Sequence, residues 1–342
     1  MRERLAFVDA MRGLAALGVV LYHAKEGNHV PALELKLPWL GGLLELGHFG
    51  VPVFFVLSGF VIALSLDGAQ MRLSGVGWFM LRRSIRLDPP YWVAIAVQLG
   101  ITLIKDGNMN HFSSGQIAAH FFYLQELIGY NQISIVFWTL CFEFQFYLVY
   151  SLLLCAPRQD LMLISAIAIS LLWPLHIIPV IMPGLFLHLW HGFLLGVCAY
   201  WTLNKGFPLS LFLSFAMVVS VFGGSFSLAC ALAASLIVIV GLGKQLGSLN
   251  WRWIQGLGAI SYSLYLIHNP VTYVTYIISE QVSEHSIMTD ALWWTVSTAL
   301  CLLAAWAMRN AIEKPAMAFA RRVKPNLLST QNKLTPAQER PA

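Results

Sequence analysis

Long apolar runs, divided by short polar or basic breaks, recur along almost the whole chain. A bilayer-spanning helix needs about 20 consecutive apolar residues. The runs therefore constrain the chain to an all-α, polytopic membrane fold. About ten spans are expected, with boundaries good to a few residues: 5–24, 41–66, 90–104, 135–156, 161–180, 185–203, 209–222, 227–242, 254–278 and 291–312. Only Gly223-Gly224-Ser225 divides the seventh from the eighth, and one long broken span is the other reading of that stretch. Spans of this length account for about 200 of the 342 residues, which leaves no room for a large extramembrane domain. With 58% hydrophobic and only 11% charged residues, the composition excludes a water-soluble enzyme and a disordered or fibrous chain. Residues 1–324 are read as one transmembrane domain and 325–342 as a polar, disordered cytoplasmic tail.

Charge sets the expected topology. With the N-terminus inside, Lys25, Lys36 and Lys105 are the only three of the 21 basic residues assigned to outer loops. Ten spans then place both termini in the cytoplasm, as the positive-inside rule requires. The first run keeps Asp9 and Arg12 and lacks a small-x-small cleavage site, so it reads as a retained helix rather than a signal peptide. The loop from Lys105 to Ser134 is the longest outer segment, and its Phe121-Phe122-Tyr123-Leu124 run is too short to span. The five cysteines are scattered through apolar runs without metal or redox spacing, and packing accounts for them.

Ionisable groups inside a membrane are costly and mark function by default. Arg12 and His23 share the first span. Eleven residues at 100° each bring them within about 20° of one face, about 16 Å apart along the axis. Glu143 lies about two turns into the fourth span, and His268, next to Pro270, lies in the outer half of the ninth. His23, Glu143 and His268 are thus expected at similar depth, where a histidine with a carboxylate suits general-base chemistry. On the inner side, Arg82, Arg83 and Arg86 precede Pro89-Pro90-Tyr91-Trp92. They serve either topology or the binding of phosphate, whose oxygens fit guanidinium forks. His188 and His191 have metal-ligand spacing but lack a third partner, so no metal is expected. The chain has no HExxH, no Walker loop and no dinucleotide fingerprint.

These residues, taken in order, resemble the acyltransferase-3 family of multi-pass membrane O-acyltransferases that act on glycans. Arg12 and His23 have the family's spacing of an Arg, ten residues and a His. The segment Gly50 to Phe60 resembles its second-helix signature, and Arg82-Arg83 with Arg86 its inner arginine loop. Trp138-Thr139-Leu140 with Glu143 and Phe146-Tyr147, then Ser261 to Leu266 with His268 and Pro270, and finally Glu313-Lys314-Pro315 resemble its later motifs. Pro52 and Phe144 depart from it, since many members carry acids there.

The resemblance implies an O-acyltransferase of the plasma (inner) membrane. It would move an acyl group, acetyl above all, from cytoplasmic acyl-CoA to a hydroxyl of a surface or exported glycan, free or lipid-linked. It implies no permanently bound cofactor, with acetyl-CoA as donor substrate, membrane lipid around the bundle, glycan-assembly proteins as further partners and no nucleic acid. Catalytic roles fall to His23, Glu143, Arg12 and His268, and donor binding to Arg82, Arg83, Arg86 and Tyr91. Trp138, Tyr147, Tyr265 and Ser58 are expected on the acceptor side or in support, with Ser58 a packing residue rather than a nucleophile. Some relatives carry a C-terminal esterase-like domain. This chain is expected to deliver the acyl group itself or hand it to a partner. A proton-coupled transporter or flippase of a small anionic or lipid-linked substrate is the alternative reading of the same intramembrane His and Glu.

Overall fold

Apolar runs that leave the backbone no water to bond must close their hydrogen bonds within the segment, and every described element is helical. The computed structural model describes residues 5–26, 29–69 and 71–323, so the expected tail at 325–342 lies outside the described residues. The principal helices are α1 (Ala6–His23), α2 (Gly50–Ser65), α3 (Leu73–Asp106), α4 (Trp138–Leu153), α5 (Gln159–Ser170), α6 (Trp190–Asn204), α7 (Leu209–Phe222), α8 (Gly224–Leu242), α9 (Arg252–Val282) and α10 (Ile287–Met308). A π-turn at Arg309–Glu313 joins α10 to α11 (Lys314–Arg322). Six stretches are helical, long and apolar enough to cross a membrane: 6–23, 38–65, 73–106, 186–204, 224–242 and 287–322. The remaining principal helices are shorter or more polar.

One expectation changes. The third segment was expected to begin at Pro90, with the arginines in a loop before it. Instead α3 starts at Leu73 and runs unbroken for 34 residues through Pro89 and Pro90. Prolines lack an N–H and leave the carbonyls four residues earlier without a helical donor. In a packed bundle neighbouring side chains can bond backbone groups near such a break, and the Tyr262 hydroxyl donates to the Leu87 carbonyl beside the pair at 2.8 Å. At about 1.5 Å per residue α3 is roughly 50 Å long, well beyond a 30 Å hydrocarbon core. The seventh and eighth segments are separate helices as expected, α7 and α8, packed side by side. The hairpin between them turns at Gly224, whose φ of +74° a residue with a Cβ rarely adopts.

Backbone crossings fix the bundle. A Cβ on Gly13 of α1 would meet the Gly258 nitrogen of α9 at 2.5 Å. These two helices therefore touch backbone to backbone, as small residues permit inside membranes. The crossing sets Gly258 against the backbone of Asp9, and the Gln255 side chain donates to the Ala6 carbonyl at 2.8 Å. Gly59 of α2 and Gly196 of α6 meet in the same way, against the backbones of Phe193 and Val56. Farther along α1, the Tyr276 hydroxyl of α9 donates to the Ala24 carbonyl at 2.8 Å.

The connection between α3 and α4 holds short helices at Ser114–Phe121 and Gln125–Ile128. Tyr123 turns back into the core and stacks on Tyr91 at 4.8 Å, whereas Phe122 is exposed.

Candidate active site

Helices α1, α2, α3, α4 and α9, with the π-turn, enclose a cavity of about 390 Å³. Its lining carries four arginines (Arg12, Arg83, Arg86, Arg309) and three carboxylates (Asp9, Glu143, Glu313). The carboxylates are engaged. Asp9 accepts from Arg12 at 3.3 Å, one turn along α1. Glu313 accepts from the Ser263 hydroxyl at 2.7 Å. Glu143 accepts from both the Ser58 and Tyr147 hydroxyls through the same oxygen, Oε1. Ser58 comes from α2, while Tyr147 follows Glu143 by one turn of α4.

The arginines of α3 are less committed. Arg83 lies over the rings of Tyr147 and Phe79, at 4.8 and 5.6 Å from their centroids. The Arg86 Nε is buried without a hydrogen-bond partner among the described residues. Arg83 and Arg86 lie three residues apart on one helix face, and both reach the cavity; Arg82 is not in its lining.

The cavity lining on α9 ends at Tyr265. The Tyr265 hydroxyl is fixed by the Thr139 hydroxyl at 2.8 Å and the Val136 carbonyl at 3.1 Å. One turn farther along α9 lies His268, whose ring centroid is 6.0 Å from that of Tyr265 and 5.2 Å from that of His23. His268 is fully buried; its Nδ1 pairs with the Leu264 carbonyl at 3.1 Å and its Nε2 has no partner among the described residues. A carbonyl can only accept, so Nδ1 carries the proton and Nε2 a free lone pair.

His23 Nδ1 lies 2.8 Å from Glu26 Oε2, and Tyr22 donates to the other oxygen of Glu26 at 2.6 Å. This carboxylate holds the imidazole with Nε2 as its basic nitrogen.

The structure thus brings Arg12, Arg83, Arg86, Glu143, Ser58, Tyr147 and Tyr265 to one cavity, and His23 and His268 to each other. The hydrogen bonds of Glu143 go to Ser58 and Tyr147; the side-chain partner of His23 is Glu26. Tyr91 is fully buried against Tyr123 and Phe137, outside the cavity lining. Trp138 also lies outside it and packs on Phe55 and Phe142. His188 and His191 diverge, one to the Leu185 carbonyl and the other to the Ser227 hydroxyl.

Sequence reasoning missed Glu26, Arg309, Tyr262 and the cavity-facing role of Glu313. Glu26 had a signal, since it follows His23 by three residues, one helical turn.

Fold and site together define a polytopic helical bundle with an arginine-lined internal cavity and a carboxylate-held histidine beyond its end. The acyltransferase-domain profile of the acyltransferase-3 family matches residues 5–310, and the chain belongs to that family. The O-acetyltransferase OatA of Staphylococcus aureus strain NCTC 8325 / PS 47 is 31% identical over 193 residues, covering 50% of this chain and 30% of OatA. The OatA proteins of strains COL and MRSA252 match to the same extent. The matches span less than a third of the length of these relatives. No solved structure matches the chain significantly.

Proposed function

We propose that this protein is a membrane O-acyltransferase that moves an acetyl group from acetyl-CoA, bound from the cytoplasm, to a hydroxyl of a surface or exported glycan. The observation that carries the reading is the cavity itself, with the uncommitted Arg83 and Arg86 in its wall and the His23–His268 pair one helical turn beyond Tyr265. Family membership and the O-acetyltransferase relatives support the same chemistry.

In this reading Arg83 and Arg86 bind donor phosphates through charge-assisted hydrogen bonds. Arg12, oriented by Asp9, steers the pantetheine arm past Ser58 and Glu143. The thioester reaches the Tyr265 end, and the acceptor hydroxyl arrives from the His23 side. His23 Nε2 takes the hydroxyl proton as the oxygen attacks the thioester carbonyl; Glu26 stabilises the imidazolium that forms. The carbon–sulfur bond breaks, the ester forms, and the thiolate leaves with the proton from His23. The free Nε2 of His268 accepts a hydrogen bond from the acceptor and sets its orientation.

Transfer of labelled acetyl from acetyl-CoA by the purified protein in lipid nanodiscs tests the reading. Wild type is expected to release or transfer label, and His23→Ala and Arg12→Ala to lose this with folding intact. Absence of binding and turnover with acetyl-CoA and with longer acyl-CoA donors would transfer weight to a transporter.

A further inference from the structure

We infer that Arg309 is a third ligand for the donor's phosphate groups, aimed into the cavity by the π-turn that carries it. The inference rests on the reading of the cavity as an acyl-CoA site and extends it to a residue on a different helix.

Three observations converge. The first is electrostatic. Arg83, Arg86 and Arg309 line one cavity, and no carboxylate among the described residues lies within ion-pair distance of any of them. The three carboxylates in the lining are already held by Arg12, Ser58 with Tyr147, and Ser263. The hydrogen bonds to Glu143 and Glu313 come from neutral hydroxyls, so with Asp9 paired to Arg12 the other three arginines share the cavity with two carboxylates. The lining keeps an excess of positive charge that an added anion would balance in a low-dielectric interior. A pyrophosphate with a further phosphate supplies the charge and the oxygens that three guanidinium forks require.

The second observation is local geometry. Arg309 Nε donates to the Ala259 carbonyl at 2.6 Å, and Ala259 itself lines the cavity. One of the five guanidinium donors anchors the group to the wall. The remaining four, on the terminal nitrogens, have no protein partner among the described residues.

The third is the helix that carries it. Arg309, Glu313 and Met317 all line the cavity. In a regular α-helix eight residues advance two turns and about 80°, so Arg309 and Met317 would diverge. The π-turn at Arg309–Glu313 inserts one residue, which reduces the offset to about 20° and keeps all three on one face. Pro315 fits this irregularity, since it cannot donate to the carbonyl of Ala311.

The test compares two donors in nanodiscs: acetyl-CoA, and S-acetyl-pantetheine, which has the same thioester but none of the phosphates. Arg309→Gln is expected to raise KM for acetyl-CoA at least about tenfold. Its kcat should stay within about threefold of wild type, and its kinetics with S-acetyl-pantetheine should be unchanged. Arg309→Lys, which keeps the charge and loses the fork, should fall between. Unchanged KM for acetyl-CoA, or equal losses with both donors, would overturn the inference and leave Arg309 as a staple between α10 and α9. If Arg309→Gln does not fold, by thermal unfolding without donor, the lysine variant carries the same comparison. Failure of the wild type to bind or use either donor would instead bring down the acyl-CoA reading itself, and the inference with it.

Discussion

The imidazole rings of His23 and His268 lie 5.2 Å apart and tilted by 34°, although one belongs to α1 and the other to α9. Each ring is held through Nδ1, His23 by Glu26 and His268 by the Leu264 carbonyl. Two Nε2 atoms are thereby left as the available bases of the pair.

Of the carboxylates near the pair, Glu26 is the one that touches His23. Glu26→Gln should lower acetyl transfer by about ten- to a hundredfold, because the imidazolium loses its carboxylate while His23 stays in place. His23→Ala should cost about 10²- to 10⁴-fold. Single-turnover kinetics in nanodiscs check the order. Equal rates for Glu26→Gln and wild type would remove Glu26 from the chemistry.

Helix crossings give a prediction of opposite signs for two glycines. Gly13→Val places a side chain against the backbone of α9, where a Cβ already meets the Gly258 nitrogen at 2.5 Å. It should destabilise the protein by about 1–3 kcal/mol or more. Gly77 is helical with nothing within 4 Å of its Cβ position, so Gly77→Ala should be neutral or stabilising by up to about 1 kcal/mol. Thermal unfolding in nanodiscs distinguishes the two.

His120 predicts a pH dependence. It is buried in the connection between α3 and α4, with Nδ1 on the Gln116 carbonyl at 2.8 Å and Nε2 accepting from the Ile133 N–H at 3.0 Å. Burial pulls its pKa below the ordinary 6.5, against smaller opposing effects of its hydrogen bonds to Gln116 and Gln132. The unfolded chain therefore binds the proton first as pH falls. The stabilisation is complete above about 6.5 and is lost as pH falls through the lower folded value. The protection factor at Ile133, the intrinsic exchange rate divided by the observed one, should fall between pH 8 and 5 in wild type. An exchange rate that follows only the intrinsic chemical pH dependence would contradict this assignment.

Asp290 should hold the segment after α1 in place. It is buried and accepts from the Ala32 and Leu33 N–H groups at 2.8 and 3.1 Å, while His285 lies 2.8 Å from its other oxygen. Asp290→Ala should cost about 1–3 kcal/mol through the orphaned donors and expose 29–37 to protease. Proteolysis with wild-type kinetics would show that other contacts hold this segment.

Much of the fold was legible because membrane helices announce themselves as apolar runs, while azimuth and helix continuity did not. Depth alone brought His23 and His268 together, since a helix advances a fixed distance per residue. Depth also placed Glu143 beside them, but rotation about α4 turns it to Ser58 and Tyr147. Reading Pro89-Pro90 as a boundary put the arginines in a loop, where no face could be assigned. In the continuous α3, Arg83 and Arg86 share a face, and Arg82 is turned about 100° from Arg83. Tyr91 and Trp138 looked like site aromatics, yet rings pack just as well in a core. The contribution of Arg309 depends on a π-turn, and no hydrophobic period encodes one.

Whether the cavity arginines hold the donor is decided by the binding of unlabelled CoA to the purified protein in nanodiscs, measured by calorimetry for wild type and Arg83→Gln/Arg86→Gln. Wild type should bind, and the double variant should bind at least about tenfold more weakly, with unchanged thermal unfolding in the absence of CoA. Equal affinity in both proteins would contradict that role, because the phosphates would then be held somewhere other than the arginine-lined cavity.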